Sequence, residues 1–384
     1  MIRRICSDKV LSAAAGFPIV AITGPRQSGK TTLCRMIFAD RPYVSFEDPG
    51  TRERFLEDPR GFLHNYEAGA VFDEAQRCPD LFSYLQGMVD GDRRMGRFIL
   101  TGSAQFDLDA GISQSLAGRV VTLELLPFCM QELSIGKDTS LDEVLFRGCY
   151  PPVHDRNIPP DLWFSGYVRN YIERDVRMLL QISHLDTFQR FVRLAAARTG
   201  QLLNLSELGN AAGVNHNTVK SWLSVMQASY LVYLARPFHM NISKRLVKSP
   251  KLYFLDPGLV CWLLSIQSPA QLNLHPMRGS IFETFVVAEI LKKRFNALER
   301  DDFCFYRDHK GMEVDLILAR GNDRIPVEIK SGMTFRKEHA AHVLRFREVD
   351  PGSAAPVIIY GGDERFSHAG CEVIPWRDLG HTPL

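Results

Sequence analysis

A lysine and two threonines close a glycine-bounded loop near the beginning of this 384-residue chain. The loop matches the complete pattern G-x-x-x-x-G-K-[ST]. Backbone N–H groups of such a loop surround the phosphates of a nucleotide, while Lys30 reaches the β- and γ-phosphates and the Thr31 hydroxyl binds Mg²⁺. The pattern therefore predicts a site for ATP and Mg²⁺. The residues expected to contact the nucleotide are Gly24, Pro25, Arg26, Gln27, Ser28, Gly29, Lys30, Thr31 and Thr32.

Two adjacent carboxylates, Asp73 and Glu74, follow the apolar run at residues 69–72. An isolated Asp-Glu pair is usually a solvated turn, but this pair ends a strand pattern downstream of a phosphate loop. A carboxylate in that position can hold Mg²⁺ through its water shell. Its neighbour can accept a proton from the attacking water. We therefore expect Asp73 to hold the metal and Glu74 to be the general base.

Ser103 follows a third strand pattern, which covers residues 97–101. A polar side chain at this point can sense the γ-phosphate and orient the attacking water. Ser103 is the first candidate for this catalytic role and Thr101 is the second. An ordinary turn at the end of a strand explains the same residues equally well.

Arg119 lies between a short helix pattern at residues 112–118 and a strand pattern at residues 120–125. An arginine at this point can reach the nucleotide of a neighbouring subunit, where its planar guanidinium would stabilise charge on the γ-phosphate. A surface arginine or a salt bridge within the domain is the alternative. Sequence leaves both interpretations open.

Three acidic residues and a lysine in the last third of the chain form a second candidate site. Glu283 lies near the start of a helix pattern, and Asp315 lies on a strand pattern. A second, antiparallel strand carries Glu328 and Lys330, which point to one face because they are two residues apart. Such a face can bind Mg²⁺ and position a water for attack on a phosphodiester. Asp315 and Glu328 would be the metal ligands of this candidate nuclease face.

A helix-turn-helix pattern covers residues 205–224, with Ser206 expected to cap the first helix and Gly213 in the turn. Asn215 is expected to open the second helix. Such units bind DNA or serve only as protein–protein modules, and both remain open. The DNA-binding version would place His216, Asn217, Thr218, Lys220 and Ser221 at the groove, with a basic wing made by Lys244, Arg245, Lys248 and Lys251.

These residues require three parts of an α/β chain to position them. Residues 1–150 alternate strand and helix patterns, which predicts a parallel sheet covered on both faces. Residues 160–270 are mainly helical, and residues 275–384 combine a helix with strands. A proline-rich stretch at 147–160 is the expected boundary.

The gross composition is that of an ordinary globular protein, with 45% apolar and 23% charged residues. A net charge of +2 gives no argument from charge for nucleic acid or membrane. The eight cysteines contain no C-x-x-C pair, which disfavours a zinc knuckle or a disulfide framework. With no apolar run near the ~18 residues of a membrane span and no signal-peptide pattern, we expect a cytoplasmic protein.

Nine segments together resemble a large prokaryotic family of AAA-type ATPases whose C-terminal half carries a domain of unknown function. The segments read GPRQSGKTTL, VFDEAQ, ILTGSAQF, SLAGRV, FRGCYPPV, KLYFLDPGL, GSIFETFVVAEIL, EVDLIL and VEIKSG. The resemblance implies an AAA-like P-loop domain, a winged-helix middle and a restriction-endonuclease-like C-terminal fold. The nuclease face would again be Glu283, Asp315, Glu328 and Lys330, although such folds often bind DNA without cutting it. Ser103 departs from the asparagine common at the sensor position of AAA proteins.

The function that these patterns favour is a Mg²⁺-dependent ATPase that couples hydrolysis to DNA binding or remodelling, including branched DNA. It would act as a homo-oligomer such as a hexameric ring. One alternative is an ATP-gated, metal-dependent nuclease. The other is a regulatory switch that binds protein partners through its middle domain.

Overall fold

The computed structural model describes residues 2–103, 116–176, 185–238, 249–301, 303–321 and 323–382, with backbone alone at 173–176. The chain divides into two compact units. The first unit comprises Met1–Phe128 with the short segments Ala228–Tyr230 and Arg294–Glu299. The second comprises Cys129–Gln227, Leu231–Lys293 and Arg300–Leu384.

The first unit alternates strands and helices, as its sequence predicts. Its helices are α1 (Ser7–Gly16), α2 (Lys30–Ile37), α3 (Pro49–Glu57), α4 (Pro59–His64) and α5 (Asp80–Gly91). Its strands are β1 (Ile19–Thr23), β2 (Tyr43–Ser45), β3 (Ala70–Asp73), β4 (Phe98–Gly102) and β5 (Val120–Glu124).

Among the described residues these strands form one parallel sheet in the order β2-β3-β4-β1-β5. β1, β3 and β4 are buried along their whole length, as expected for inner strands covered on both faces. Successive residues of β1 alternate between two cores, so that Ile19 packs with Phe72 while Val20 packs with Leu33. The predicted parallel α/β sheet is confirmed. Its carboxyl edge collects the ends of β1, β3 and β4, where the candidate ATP-site residues lie.

The second unit contains ten α-helices and one π-helical segment among its described residues. They are α6 (Leu141–Arg147), α7 (Pro151–Asp155), α8 (Pro160–Tyr167), a π-helical segment (Val168–Val176), α9 (Leu185–Ala196), α10 (Leu205–Ala212), α11 (His216–Ala228), α12 (Pro257–Leu263), α13 (Pro269–Leu274), α14 (Arg278–Asn296) and α15 (Ala341–Val349). Its strands are β6 (Gln201–Leu202), β7 (Val232–Pro237), β8 (Lys251–Phe254), β9 (Phe303–Arg307), β10 (Glu313–Arg320), β11 (Asp323–Lys330), β12 (Val357–Tyr360), β13 (Phe366–His368) and β14 (Cys371–Pro375).

In the described part of the second unit, the strands join one mixed sheet in the order β13-β14-β12-β11-β10-β9-β7-β8-β6. β10 and β11 are antiparallel neighbours, as the two successive strand patterns predict. β7 pairs in parallel with β9, so strands from the middle and from the C-terminal part of the chain share this sheet. The division into three domains, with a winged helix and a nuclease-like fold, stays a prediction.

The two helices around Gly213 are present as α10 and α11. Gly213 adopts φ of +80° and ends α10, which explains the glycine. The cap of α10 is Asn204, whose side chain accepts the Glu207 N–H, and not Ser206, which lies inside the helix. Asn215 accepts the N–H of Thr218 at the start of α11, as expected.

Some predicted features lie outside the described residues. They are most of the short helix at 112–118 and three members of the basic wing, Lys244, Arg245 and Lys248. Across the part of the chain that is described, no helix is both long enough and apolar enough to cross a membrane.

Candidate ATP site and a second carboxylate cluster

The phosphate loop connects the end of β1 to the start of α2, and two of its glycines are required by geometry. Gly24 has φ of +143°, and a Cβ there would lie 2.2 Å from the carbonyl oxygen of Leu125. Gly29 has φ of +99° and caps the amino end of α2. The amino end of α2 consequently opens onto the loop, where its unpaired N–H groups favour an anion.

Lys30 is buried, and its ammonium lies over the loop that precedes it. Nζ donates to the carbonyl oxygens of Gly24 at 2.9 Å and Pro25 at 2.8 Å. Burial lowers the pKa of Lys30 to about 8, and the nearby carboxylates of Glu74 and Asp73 oppose that shift. A phosphate group beside this ammonium would add a stronger opposing charge and favour the protonated form.

Asp73 is the centre of a set of hydroxyl donors at the end of β3. Its carboxylate accepts from Thr31 Oγ1 at 3.3 Å and from Tyr43 OH at 2.5 Å. Thr101 Oγ1 also donates to it. The structure therefore brings together Thr31 and Asp73, the two residues that the sequence predicted to hold Mg²⁺. Tyr43 was missed because a tyrosine on an edge strand carries no motif.

Glu74 lies immediately beyond β3 in a left-handed backbone conformation, with φ of +55°. This conformation is uncommon for a residue with a side chain, and it marks the point where the strand turns. Glu74 Oε2 accepts from Gln76 Nε2 at 2.6 Å and from Ser103 Oγ at 3.2 Å. Ser103 thus contacts the predicted base, whereas Thr101 contacts the aspartate that is predicted to hold the metal, so the two sensor candidates have different partners.

Arg119 immediately precedes β5, at the amino edge of the sheet. Its carbonyl oxygen accepts the N–H of Ile19, the first residue of β1. Its guanidinium makes a bidentate pair with Asp90, at 2.6 Å from Nε to Oδ1 and 2.8 Å from Nη2 to Oδ2. The salt bridge that sequence left open is therefore present. Because β1 runs five residues from this edge to the loop, at ~3.3 Å per residue, Arg119 cannot reach a nucleotide on its own loop.

Two further residues brace the loop and were not found from sequence. Arg4 donates to the carbonyl oxygen of Ser28 at 2.8 Å, and Tyr230 shares a hydrogen bond of 2.7 Å with Thr23. Both contacts join residues far apart in the chain, so no local pattern announces them. Ser28 Oγ is buried without a protein partner, which leaves a hydroxyl in the loop for a ligand.

Three family models match successive parts of the chain. The AAA domain family matches residues 16–134, a domain of unknown function (DUF8612) matches 138–270, and a second domain of unknown function (DUF4143) matches 278–379. An uncharacterized protein of Mycobacterium tuberculosis and one of Mycobacterium bovis are each 32% identical over 368 residues, covering 95% of this chain and 81% of the relative. The chain belongs to their family of AAA-type ATPases with a C-terminal DUF4143 domain. The predicted family membership is confirmed.

Three solved structures have weaker similarity to this chain. A Walker-type ATPase of Pyrococcus abyssi has 15% identity and a TM-score of 0.38, covering 68% of this chain and 95% of that one. DnaA of Aquifex aeolicus, bound to AMPPCP, has 12% identity and a TM-score of 0.32, with coverage of 58% and 86%. RuvB of Thermotoga maritima has 16% identity and a TM-score of 0.31, with coverage of 61% and 90%. The protein is a P-loop ATPase of the AAA type on the evidence of its family and its loop.

The second unit brings together the four residues of the candidate nuclease face. Lys330 Nζ lies 2.5 Å from Glu328 Oε1 and 3.9 Å from Asp315 Oδ2. Burial, and next the charge of Asp315, raises the pKa of Glu283 to about 7 and that of Glu328 to about 8. All four side chains line one cluster, which also contains two residues that sequence did not place there, Lys251 and Glu313.

Lys251 was expected on the surface, in the basic wing, and this part of the prediction does not fit the structure. Its side chain is only 2% exposed. Nζ lies 2.5 Å from Glu313, 3.1 Å from Glu283 and 3.7 Å from Asp315. A lysine at the start of a strand can face either side of the sheet, and here it is held inward by carboxylates that come from distant parts of the chain.

The outer face of α11 carries the predicted groove-contacting residues. His216, Asn217, Lys220 and Ser221 are exposed. On the opposite face Val219, Leu223 and Met226 are buried, as their spacing predicts. The helix therefore presents a polar surface with one lysine, which suits either DNA or a polar protein partner.

Proposed function

We propose that this AAA-type ATPase hydrolyses ATP with Mg²⁺ and couples the reaction to DNA binding or remodelling. The observation that carries the hydrolytic part is the arrangement at the carboxyl edge of the first sheet. The loop with Lys30, the strand-end Asp73 and the adjacent Glu74 converge there, and Ser103 contacts Glu74. These are the parts that phosphoryl transfer to water needs.

Each residue has a separable role in the proposed reaction. The loop N–H groups and Lys30 bind the phosphates and offset their charge. Glu74 accepts a proton from the attacking water as the water adds to the γ-phosphorus, while the bond from that phosphorus to the β,γ-bridging oxygen breaks and ADP leaves with the electron pair. Ser103 and Gln76 orient the Glu74 carboxylate by donating hydrogen bonds to its Oε2.

The residues present fit Mg²⁺, which prefers a few protein oxygens together with phosphate oxygens and water. Thr31 Oγ1 and the Asp73 carboxylate are neighbours, and both are hard oxygen donors. Bound there, the ion would neutralise charge on the β- and γ-phosphates. Tyr43 and Thr101 would keep the Asp73 carboxylate in position by donating to it.

We infer that the active form is a homo-oligomer such as a hexameric ring, in which Arg119 serves the nucleotide of an adjacent subunit. Its position at the amino edge of the sheet supports this role, because the side chain cannot serve its own loop. The pair with Asp90 is partly exposed, with 31% and 40% of the two side chains accessible. Solvent and salt weaken the attraction within such an accessible pair, so a nucleotide phosphate can displace Asp90.

DNA is the partner that we propose for the second unit. The exposed polar face of α11, which includes Asn217 and Lys220, supports this proposal, and so do the three basic wing residues outside the described part. A partner with many phosphates would bind through such residues with strong salt dependence, about 0.9 log units of slope per phosphate contact on duplex DNA. Lys251 is left out because it is buried.

ATP turnover with and without single-stranded, duplex and branched DNA tests this proposal directly. Lys30→Ala should weaken nucleotide binding, whereas Glu74→Gln should bind ATP normally and turn over about 10²–10⁴-fold more slowly. Wild-type turnover by Glu74→Gln would contradict the assignment of the base.

A separate experiment tests the proposed DNA binding. Replacing Lys244, Arg245 and Lys248 together with alanine should weaken binding and reduce the salt slope, while ATP binding stays unchanged. If no DNA binds at low salt, with or without ATP, the regulatory switch that binds protein partners becomes the better explanation.

A further inference from the structure

We propose that the Lys251 ammonium occupies the place of a divalent cation in the acidic cluster of the second unit. The wild-type cluster is therefore closed to metal and does not cleave phosphodiesters. The cluster consists of Glu283, Glu313, Asp315, Glu328, Lys251 and Lys330. The inference is independent of the proposed DNA role, since a face of this kind can hold a ligand without cutting it.

The position of Nζ resembles that of a bound cation. It lies within 4 Å of carboxylate oxygens from three residues, Glu313, Glu283 and Asp315. Those residues come from β10 and α14, and Lys251 itself comes from β8. One ammonium thus bridges three separate elements, which is the structural task that a metal ion performs in such a cluster.

Several other oxygens of the cluster are also engaged. Asp315 Oδ2 accepts the backbone N–H of Ile329 at 2.8 Å, and Glu313 Oε2 pairs with Arg307 at 3.0 Å. Glu328 Oε1 accepts from Lys330, and Tyr253 OH donates to Glu283 at 2.5 Å. Mg²⁺ and Mn²⁺ need about six oxygen ligands at close to 2.1 Å. No group of three or more His, Cys, Asp or Glu side chains in the described residues is arranged to hold a metal ion.

One buried oxygen of the cluster has no partner at all. Glu328 is 4% exposed, and its Oε2 makes no hydrogen bond. A buried acceptor left unpaired is costly, and it points to a ligand position that the lysines do not satisfy. The acidic frame is therefore suited to a cation, but Lys251 occupies its centre.

The fold fixes Lys251 firmly in this place. Its backbone lies in the ladder of β8, opposite Leu202 of β6 and Ala235 of β7. Its ammonium also lies 5.5 Å from the centre of the Phe305 ring, whose face favours a cation. Three carboxylates and the Phe305 ring thus hold the buried ammonium at the centre of the cluster.

Removing the ammonium should therefore open a metal site. Lys251→Met keeps most of the side-chain volume and frees oxygens of three carboxylates beside the unpaired Glu328 Oε2. The probe is Mn²⁺ alone, titrated into nucleotide-free full-length protein and followed by electron paramagnetic resonance. Both arms carry Asp73→Asn, so that the ATP site does not contribute.

The expected result is no Mn²⁺ bound to the second unit of the Asp73→Asn protein, and one Mn²⁺ bound per chain after Lys251→Met is added. Lys330→Met is the matched control. It removes the other lysine of the cluster and should not create a site, because Lys251 remains. Binding by Lys330→Met but not by folded Lys251→Met would overturn the proposal.

A second measurement does not depend on the folding of the Lys251 variant. If the Asp73→Asn protein with its natural Lys251 binds one Mn²⁺ that Asp315→Asn abolishes, Lys251 does not exclude metal and the proposal fails. Nicking of plasmid DNA by the wild type with Mg²⁺ or Mn²⁺, lost in Asp315→Ala, would overturn it equally. The proposal is supported if the chain with its natural Lys251 neither binds Mn²⁺ in the second unit nor nicks plasmid DNA, and if Lys251→Met gains Mn²⁺ binding.

Discussion

The position of Arg119 gives a prediction whose size follows from the geometry. The side chain lies at the opposite edge of the sheet from its own loop, about 17 Å away for a five-residue strand at ~3.3 Å per residue. We therefore expect Arg119 to act only on the nucleotide of an adjacent subunit. Arg119→Ala should be nearly inactive, since removing a guanidinium that stabilises transferring phosphate costs about 10³–10⁵-fold.

Mixing two inactive variants measures this directly. Arg119→Ala keeps the Glu74 base, and Glu74→Gln keeps the arginine. In a head-to-tail ring assembled at random from equal amounts, about one quarter of the interfaces combine an intact base with an intact arginine. Steady-state ATP turnover should consequently rise from near zero to about one quarter of wild type at equal amounts, and fall symmetrically on either side.

Two controls distinguish this role from the salt bridge within the domain. Mixing Lys30→Ala with Glu74→Gln should restore nothing, because both residues serve the nucleotide bound to their own subunit. Asp90→Ala breaks the pair with Arg119 but leaves the guanidinium, so it should keep its turnover. Any one of three results would refute the reasoning. They are a failure of turnover to recover at every mixing ratio, a loss of turnover in Asp90→Ala as large as that in Arg119→Ala, and full activity of a strictly monomeric chain.

Other predictions concern the loop, the metal site and the second unit. Gly24→Ala should abolish nucleotide binding and lower stability, because its Cβ would lie 2.2 Å from a backbone oxygen, whereas Gly87→Ala on the exposed face of α5 should stabilise by about 0.5–1 kcal/mol; thermal melts and nucleotide titration compare them. Tyr43→Phe should raise the Mg²⁺ concentration needed for half-maximal turnover about 10-fold, while nucleotide affinity without Mg²⁺ stays the same. An equal loss of Mg²⁺ affinity and nucleotide affinity would show a merely structural role. Asp256→Ala should lower the free energy of unfolding by about 3 kcal/mol, since this buried carboxylate caps α12 and accepts two N–H groups. Ser268→Ala, which removes the cap of α13, should lower it by about 1 kcal/mol. Urea unfolding would measure both changes.

Local sequence determined the ATP site almost completely. The glycine loop, its lysine and the strand-end Asp73 and Glu74 depend on interactions between residues close in the chain: a glycine where φ is positive, a helix start at Lys30 and apolar strands before each polar end. The parallel order of β1, β3 and β4 then brings those strand ends to one edge of the sheet. The antiparallel pairing of β10 with β11, which brings Asp315 near Glu328, was also predictable, because the two strands are close in the chain.

Only the tertiary structure decided which side chains complete these sites. Tyr43, Arg4 and Tyr230 reach the ATP site through contacts between residues well separated in the chain, and nothing in their local sequence records those partners. Lys251 is the clearest case. Its sequence neighbourhood is basic and suggests a solvated surface, but the sheet turns its ammonium inward, where three carboxylates stabilise it. A strand fixes the alternation of its side chains, whereas the choice of the face that is buried depends on the elements packed against it.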